Sequence, residues 1–390
     1  MPPGTRLLKQ IMFLKKKNPI GLDIGSAYIK AARLNGTKAG YELSMFEMVP
    51  LQSGVIVDST IVDKAALVSS IKELLRKVNI KKSGSPKNRE IFWGSSSGSP
   101  KHRKAFLGSS DDAVIGISGH SAVIVKKITI PLMTEDELSI SIKYEAEQYV
   151  PFDIKDVDID FQILGPNSET EGQMDVVLVA VRKGITKDFC DAVAAAGLIP
   201  VVADVDSFAL CNMYEINYGI EERKNIALIN VGASTTNICI IQSGMPVFAR
   251  DSIIGSNLHT EALAGALNVS IEDAERLKMG RSVDGASQAD VYMAIASASE
   301  EIFTEIFRSF EYFRSSIGDE SIDKIALSGG AALIKGFPEA MSNRLGIEVE
   351  VVDPFRKIKI PDRLDSAYIH DTSPIAAVAV GLALRRTGDR

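Results

Sequence analysis

Apolar positions along the chain switch repeatedly between two periods. Residues Asp63 to Val78 carry apolar side chains at helical spacing, whereas Ala113 to Ser118 and Ala122 to Ile130 are short, nearly continuous apolar runs of the kind that form strands. Glu135 to Tyr149 reads as a helix ended before Pro151, and Asp156 to Leu164 and Asp175 to Val181 as strands. Lys187 to Ala196 is predicted as a helix closed by Gly197, and Ser256 to Phe313 as almost entirely helical. Two strand-hairpin openings, at Ile20 and at Ile226, resemble each other and predict a duplicated α/β unit.

Composition narrows the classes. At 390 residues the chain should divide into two or more cores. The 44 basic and 50 acidic residues give a formal charge of −6, which disfavours nucleic acid as a partner. Cys190, Cys211 and Cys239 lack metal-ligand spacing and read as buried thiols in a reducing compartment. No run reaches the ~18 apolar residues of a membrane-spanning helix. The opening apolar stretch Leu7 to Leu14 is too short to span and precedes no small-residue cleavage site, leaving an amphipathic contact or a frayed terminus. Residues 83–110 hold a tandem duplication rich in Ser, Gly, Pro and Lys; two copies are too few for a solenoid and predict a mobile basic loop. Its aromatics Phe92, Trp93 and Phe106 are either a docking surface or part of an untethered insertion.

The candidate chemistry lies in three glycine-rich junctions. Gly21 to Ser26 and Asn230 to Thr236 each join two apolar runs by a tight turn. Glycine there lets backbone N–H groups approach a ligand unobstructed, so two such turns suit a polyphosphate held from both sides. The third junction is the apolar strand Lys324 to Leu327, breaking into Ser328-Gly329-Gly330 and continuing as a helix-like run, which offers free N–H groups or a flat surface for a base. His102, His120, His259 and His370 show no ligand spacing and no catalytic set.

In order and spacing these junctions resemble the actin, sugar-kinase and heat-shock-chaperone ATPases. Asp23, Gly25, Ser26 and Lys30 match the first phosphate motif of that superfamily. Asn230, Gly232, Ser234, Thr235 and Thr236 fall on the second, and Ser328, Gly329 and Gly330 on the adenosine motif. Ala203 to Leu210 and Ser373 to Ala383 look like its two connecting helices, and Ala274 to Lys278 like the helix that reaches the ribose. Within the superfamily, the opening Met12 to Ser26, the segment Glu145 to Asp153 and the Gly-Ala-Ser-Thr-Thr turn resemble the PilM family of type IV pilus assembly.

The resemblance implies an actin-like ATPase fold, α/β, with two lobes of duplicated mixed sheets around a cleft for ATP and Mg²⁺. Its implied divisions are an N-terminal segment 1–18, a first lobe of 19–118, 176–210 and 374–390 with the insertion 81–111, and an FtsA-like partner-binding module at 119–175. The second lobe comprises 211–258 and 322–373, with a helical subdomain at 259–321. Asp23 would arrange Mg²⁺ through water, or merely cap its turn; Lys30 would reach the phosphates, or be a solvated strand-end lysine. Glu275 and Lys278 would bond the ribose, or form an ordinary helix-surface pair. Asp204 and Asp206 are candidates for positioning water, although helix capping explains either equally well. Asn230 departs from the aspartate of the superfamily and puts fast hydrolysis in doubt.

The implied role is to bind the cytoplasmic N-terminal tail of a PilN-type inner-membrane protein. It would tie the pilus motor and inner-membrane platform together from the cytoplasm, peripheral at the inner-membrane face, with homodimerisation left open. A sugar-type kinase of the same superfamily and a filament-forming cytoskeletal ATPase are the rival readings. A chaperone is not expected, since no substrate-binding domain follows residue 390.

Overall fold

The computed structural model describes residues 18–78, 112–167, 169–317 and 320–386. The duplicated segment 83–110 and the segment before Asn18 lie outside the described residues.

Two sheets share one topology. In the first, an antiparallel meander of Ile20–Ile24, Tyr28–Thr37 and Gly40–Pro50 is extended by parallel strands Asp112–Ile117 and Ile199–Val205 on the free side of Ile20–Ile24. In the second, Asn225–Val231, Thr236–Gln242 and Met245–Ser252 form the meander, and Lys324–Ser328 and Glu348–Val351 add in parallel beside Asn225–Val231. The short strand Ile358–Lys359 completes the first sheet as its sixth member. Both opening strands are apolar on both faces because layers cover them from either side, which explains the near-continuous apolar runs in the sequence.

The sheets are joined through a core of small residues. Helix Asp206–Tyr218 crosses helix Ala377–Leu384, and Ala209, Leu210, Met213 and Tyr214 are buried with Ala376, Ala377, Val380 and Ala383. The backbones nearly touch: a β-carbon on Gly381 would lie 1.8 Å from the Ala209 carbonyl oxygen, and one on Gly21 would lie 2.3 Å from that of Ala379.

A third sheet forms a separate module with its own core. Strands Val123–Pro131 and Val157–Pro166 flank Gln173–Arg182, all antiparallel. Helix Glu135–Ala146 packs Leu138 and Ile142 on one face of the sheet. Its start is fixed by a capping box in which the Glu137 carboxylate accepts the Thr134 N–H at 2.8 Å. The central strand is apolar on alternate faces: Met174, Val176, Leu178 and Ala180 face the module core, and Val177, Val179 and Val181 face the core of the first lobe. The division expected at 175 therefore falls inside this strand, whose pairing runs on to Arg182. The two ends of the module are held together, since the Arg182 N–H donates to the Ala122 carbonyl at 2.9 Å.

The long helical stretch is three helices, Asn257–Leu267, Ile271–Lys278 and Gln288–Ile317. Asn268 turns left-handed (φ 51°) to close the first, and Gly280 (φ 75°) follows the second. The run after Gly330 also differs from the expected continuous helix. A 3₁₀ turn at Gly330–Leu333 stops, and Gly336 at φ 82° resets the chain before helix Phe337–Leu345. Among the described residues no helix is long and apolar enough to cross a membrane.

Gly381→Ala should therefore be costly despite adding only one carbon to a helix. Forcing the crossing apart is expected to destabilise the protein by about 3 kcal/mol in urea unfolding, whereas Gly265→Ala, which meets nothing within 4 Å, should be neutral or stabilising. Equal midpoints for the two variants would show that the crossing is not tight.

Candidate functional site

The first hairpin explains its own spacing. Asp23 and Lys30 are cross-strand partners, so the seven-residue interval places the ammonium against the carboxylate, Lys30 Nζ to Asp23 Oδ2 at 2.7 Å. Both side chains are largely buried, and the pair sits directly below the turn closed by the Gly25 N–H on the Tyr28 carbonyl at 3.1 Å. In the second hairpin the Gly232 N–H donates to the Thr235 carbonyl at 2.9 Å. A β-carbon at Gly25 or at Gly232 would meet the turn's own carbonyl at 3.1 Å, so the two turns share one construction.

The two turns meet across the lobes, where Ser234 Oγ donates to Ser26 Oγ at 2.7 Å. The third junction joins them from the side. Gly329 adopts φ 90° with its α-carbon against Val231, where a β-carbon would stand 2.3 Å from the Val231 carbonyl oxygen. Ser328 Oγ lies 3.2 Å from Asn230 Oδ1 and from the Ile229 carbonyl oxygen, and space around Gly330 is open. Thr236 does not join this surface, since its buried hydroxyl donates to the Ile254 carbonyl at 2.7 Å. Thr235 supplies the carbonyl that closes the turn.

Behind the first hairpin lies a carboxylate cluster. Asp206 begins its helix next to Gly116, whose missing side chain makes room: a β-carbon there would be 1.9 Å from Asp206 Oδ1. Burial, then the nearby charges of Asp23 and Asp251, pushes the Asp206 carboxyl up to about 8, opposed by a hydrogen bond from Ser118 and by Lys30. Asp251 is also raised, by burial, although the Asn237 amide (2.8 Å) and the Gly119 N–H (2.6 Å) donate to it. Asp204 has other company. Its buried carboxylate faces Arg385 Nε at 3.1 Å, whereas Asp206 is drawn into the electrostatics of Asp23.

Glu275 and Lys278 are more than a surface pair. The Lys278 ammonium is buried and donates to Glu275 Oε1 at 2.6 Å and to the Thr260 hydroxyl at 2.8 Å, and Thr260 donates to the same Glu275 oxygen. The Glu275 carboxylate is thus fixed in direction while its side chain stays half-exposed.

Among the described residues no group of three or more His, Cys, Asp or Glu could hold a metal ion alone. Asp23 and Asp206 could meet a small hard cation that takes its remaining oxygens from phosphate and water. Sequence reasoning missed Asn237, Asp251, Ser118, Gly119 and Thr260. Of these, Asn237 carried a faint signal as a polar residue opening the otherwise apolar run Ile238 to Ile241.

Comparison with known proteins places the chain in a family. The model described as "Type IV pilus assembly protein PilM" matches residues 21–85 and 101–387. Among solved structures, a chain of a "PilM-PilN type IV pilus biogenesis complex" is 27% identical with a TM-score of 0.77, covering 95% of this chain and 99% of that one. The ethanolamine utilization protein EutJ of Carboxydothermus hydrogenoformans is 17% identical with a TM-score of 0.53, covering 98% and 90%, a likeness of fold alone. The cell division protein FtsA of Rhizobium meliloti (strain 1021) is 27% identical over 181 residues, 40% of this chain and 39% of FtsA. The chain spans less than half the length of the curated relatives it matches.

The elevated Asp206 carboxyl has a pH signature. Its folded value of about 8 exceeds an unfolded value of about 4, so the unfolded state ionises first and stability falls as pH rises through that window. Asp206→Asn should leave stability nearly unchanged at about pH 4 and raise it progressively up to about pH 8. Urea midpoints of the two proteins across that range check this, and a constant offset would contradict it.

Proposed function

The chain belongs to the PilM family of type IV pilus assembly proteins, and we propose that it is an actin-like assembly protein that clasps ATP between its lobes and holds the N-terminal tail of a PilN-type inner-membrane protein. The observation that carries this reading is the whole-length likeness to a chain solved together with PilN, which extends over the three-stranded module as well as the lobes. No observation favours the sugar-kinase or filament alternatives.

In the proposed cleft each lobe contributes one turn. The N–H groups around Gly25 and Gly232 would face the phosphates, and Ser26 and Ser234 would exchange their mutual hydrogen bond for phosphate oxygens. Lys30 would leave Asp23 for the β/γ-phosphates, freeing the carboxylate to order the water shell of Mg²⁺. Ser328, Gly329 and Gly330 would take the adenosine, and the fixed Glu275 carboxylate the ribose hydroxyls. When bound, Mg²⁺ supplies charge neutralisation for the phosphates. Asn230 carries no charge with which to activate water and its amide is committed to Asn237, so turnover should be well below the ~10 s⁻¹ of a typical enzyme.

The partner-binding part is proposed to be the inserted module, from just after Gly119 to Arg182. Its helix Glu135–Ala146 displays Ile140 and Tyr144, 76% and 73% exposed and one turn apart, which suit an apolar anchor from an extended or helical tail. Position at the cytoplasmic face of the inner membrane follows from such a partner.

Two outcomes are expected. ATP with Mg²⁺ at a hundredfold over Kd should stabilise the protein by about 2.7 kcal/mol, seen as a rise in melting temperature, and Lys30→Met or Gly232→Val should abolish it. A full shift in both variants would mean that the turns hold no phosphate. A labelled PilN-type tail should bind the full chain with little dependence on salt, bind about tenfold more weakly to Ile140→Asp, and bind equally well when residues 83–110 are deleted. No binding to the intact chain would sink the assembly role.

A further inference from the structure

Four polar side chains run in one line across the second sheet. Ser328, Asn230, Asn237 and Asp251 are successive cross-strand partners on four neighbouring strands, among buried apolar neighbours such as Ile229, Val231 and Ile238. The hydrogen bonds along this line all point the same way. Asn230 Nδ2 donates to Asn237 Oδ1 at 3.0 Å, and Asn237 Nδ2 donates to Asp251 Oδ1 at 2.8 Å, while Ser328 stands at 3.2 Å from Asn230 Oδ1. The other Asp251 oxygen accepts from the first lobe, the Gly119 N–H at 2.6 Å.

That common direction has a cause at one end. A carboxamide can face either way, but an ionised carboxylate only accepts. With Asp251 terminating the line, Asn237 must turn its nitrogen toward it and its oxygen toward Asn230. Asn230 must then turn its nitrogen toward Asn237 and keep its oxygen beside Ser328, at the edge of the candidate cleft. Gly119, the first-lobe donor, is itself fixed: it has φ 125°, a β-carbon there would lie 2.0 Å from Ser59 Oγ, and the chain enters the inserted module immediately after it.

We propose that Asp251 is a positioning residue of the nucleotide cleft, setting through Asn237 the direction in which the Asn230 carboxamide faces, and tying that direction to the first lobe through Gly119. This rests on the nucleotide-binding reading given above. In Asp251→Asn the new amide keeps its oxygen for Gly119 and offers its nitrogen to Asn237. Asn237 then reverses, and Asn230 after it, placing a donor where the cleft had an acceptor. The exchanged pair Asn237→Asp with Asp251→Asn restores every match. The carboxylate then standing at position 237 would accept from the Asn230 amide on one side and from the new amide at position 251 on the other. The amide oxygen at position 251 would still accept from Gly119.

The test uses the full chain, a fluorescent ATP analogue with Mg²⁺, and side-chain amide NMR of protein labelled with ¹⁵N-asparagine. Asp251→Asn should bind the analogue roughly tenfold more weakly and move the Asn230 amide resonances, and the exchanged double variant should recover both to within about threefold. Asn237→Ala, which cuts the line but leaves Asp251 on Gly119, should match the affinity loss and keeps the question open to measurement if Asp251→Asn does not fold. Unchanged affinity in the single variants with a lowered melting temperature would reduce Asp251 to a tether between lobes and overturn the proposal. So would a double variant no better than the singles. If the wild-type chain binds no analogue, the cleft reading falls, while unmoved Asn230 resonances in Asp251→Asn would separately refute the orienting role.

Discussion

Everything in the cleft depends on how closely two helices cross. Asp206–Tyr218 and Ala377–Leu384 meet at Ala209 and Gly381 with no side chain between them, and the first strand approaches the same helix through Gly21. Interiors this dense pass displacement on with little loss, because few voids absorb it. The crossing sets the separation of the two sheets, and hence whether two turns on different lobes can come within one hydrogen bond. Ser26 and Ser234, 208 positions apart in sequence, are in contact for that reason.

The cleft's electrostatics are weighted toward negative charge. Asp206 feels both Asp23 and Asp251, and Lys30 is the cation paired with Asp23. Burying carboxylates so near each other is unfavourable unless protons or cations relieve it. Protonation of Asp206 is one form of relief. A divalent cation held beside Asp23 and Asp206 would be another, and Lys30 could then turn from Asp23 toward a polyphosphate.

What the sequence made legible was local. The interval between Asp23 and Lys30 could be read because a hairpin places those positions opposite each other, and the resemblance of the two hairpins foreshadowed two sheets built on the same strand order. Asp251 was invisible and Asn237 nearly so, because their meaning comes from register on neighbouring strands, which no short motif encodes. The same limit misplaced the end of the module at 175. A strand apolar on both faces shows no break where one core gives way to another. The helix expected after Ser328-Gly329-Gly330 failed for a more local reason, the left-handed turn at Gly336.

The inserted module leaves the first lobe and returns to it at adjacent points, Ala122 and Arg182 being joined by a backbone hydrogen bond. With its own core and with entry and exit side by side, it is attached like a cartridge to a socket. The host sheet would need little rebuilding if a different cartridge were fitted there, since a short bridge could span the gap at small entropic cost. Over evolutionary time such a joint lets one pair of sheets carry a succession of modules, with the changes confined to the exchangeable part.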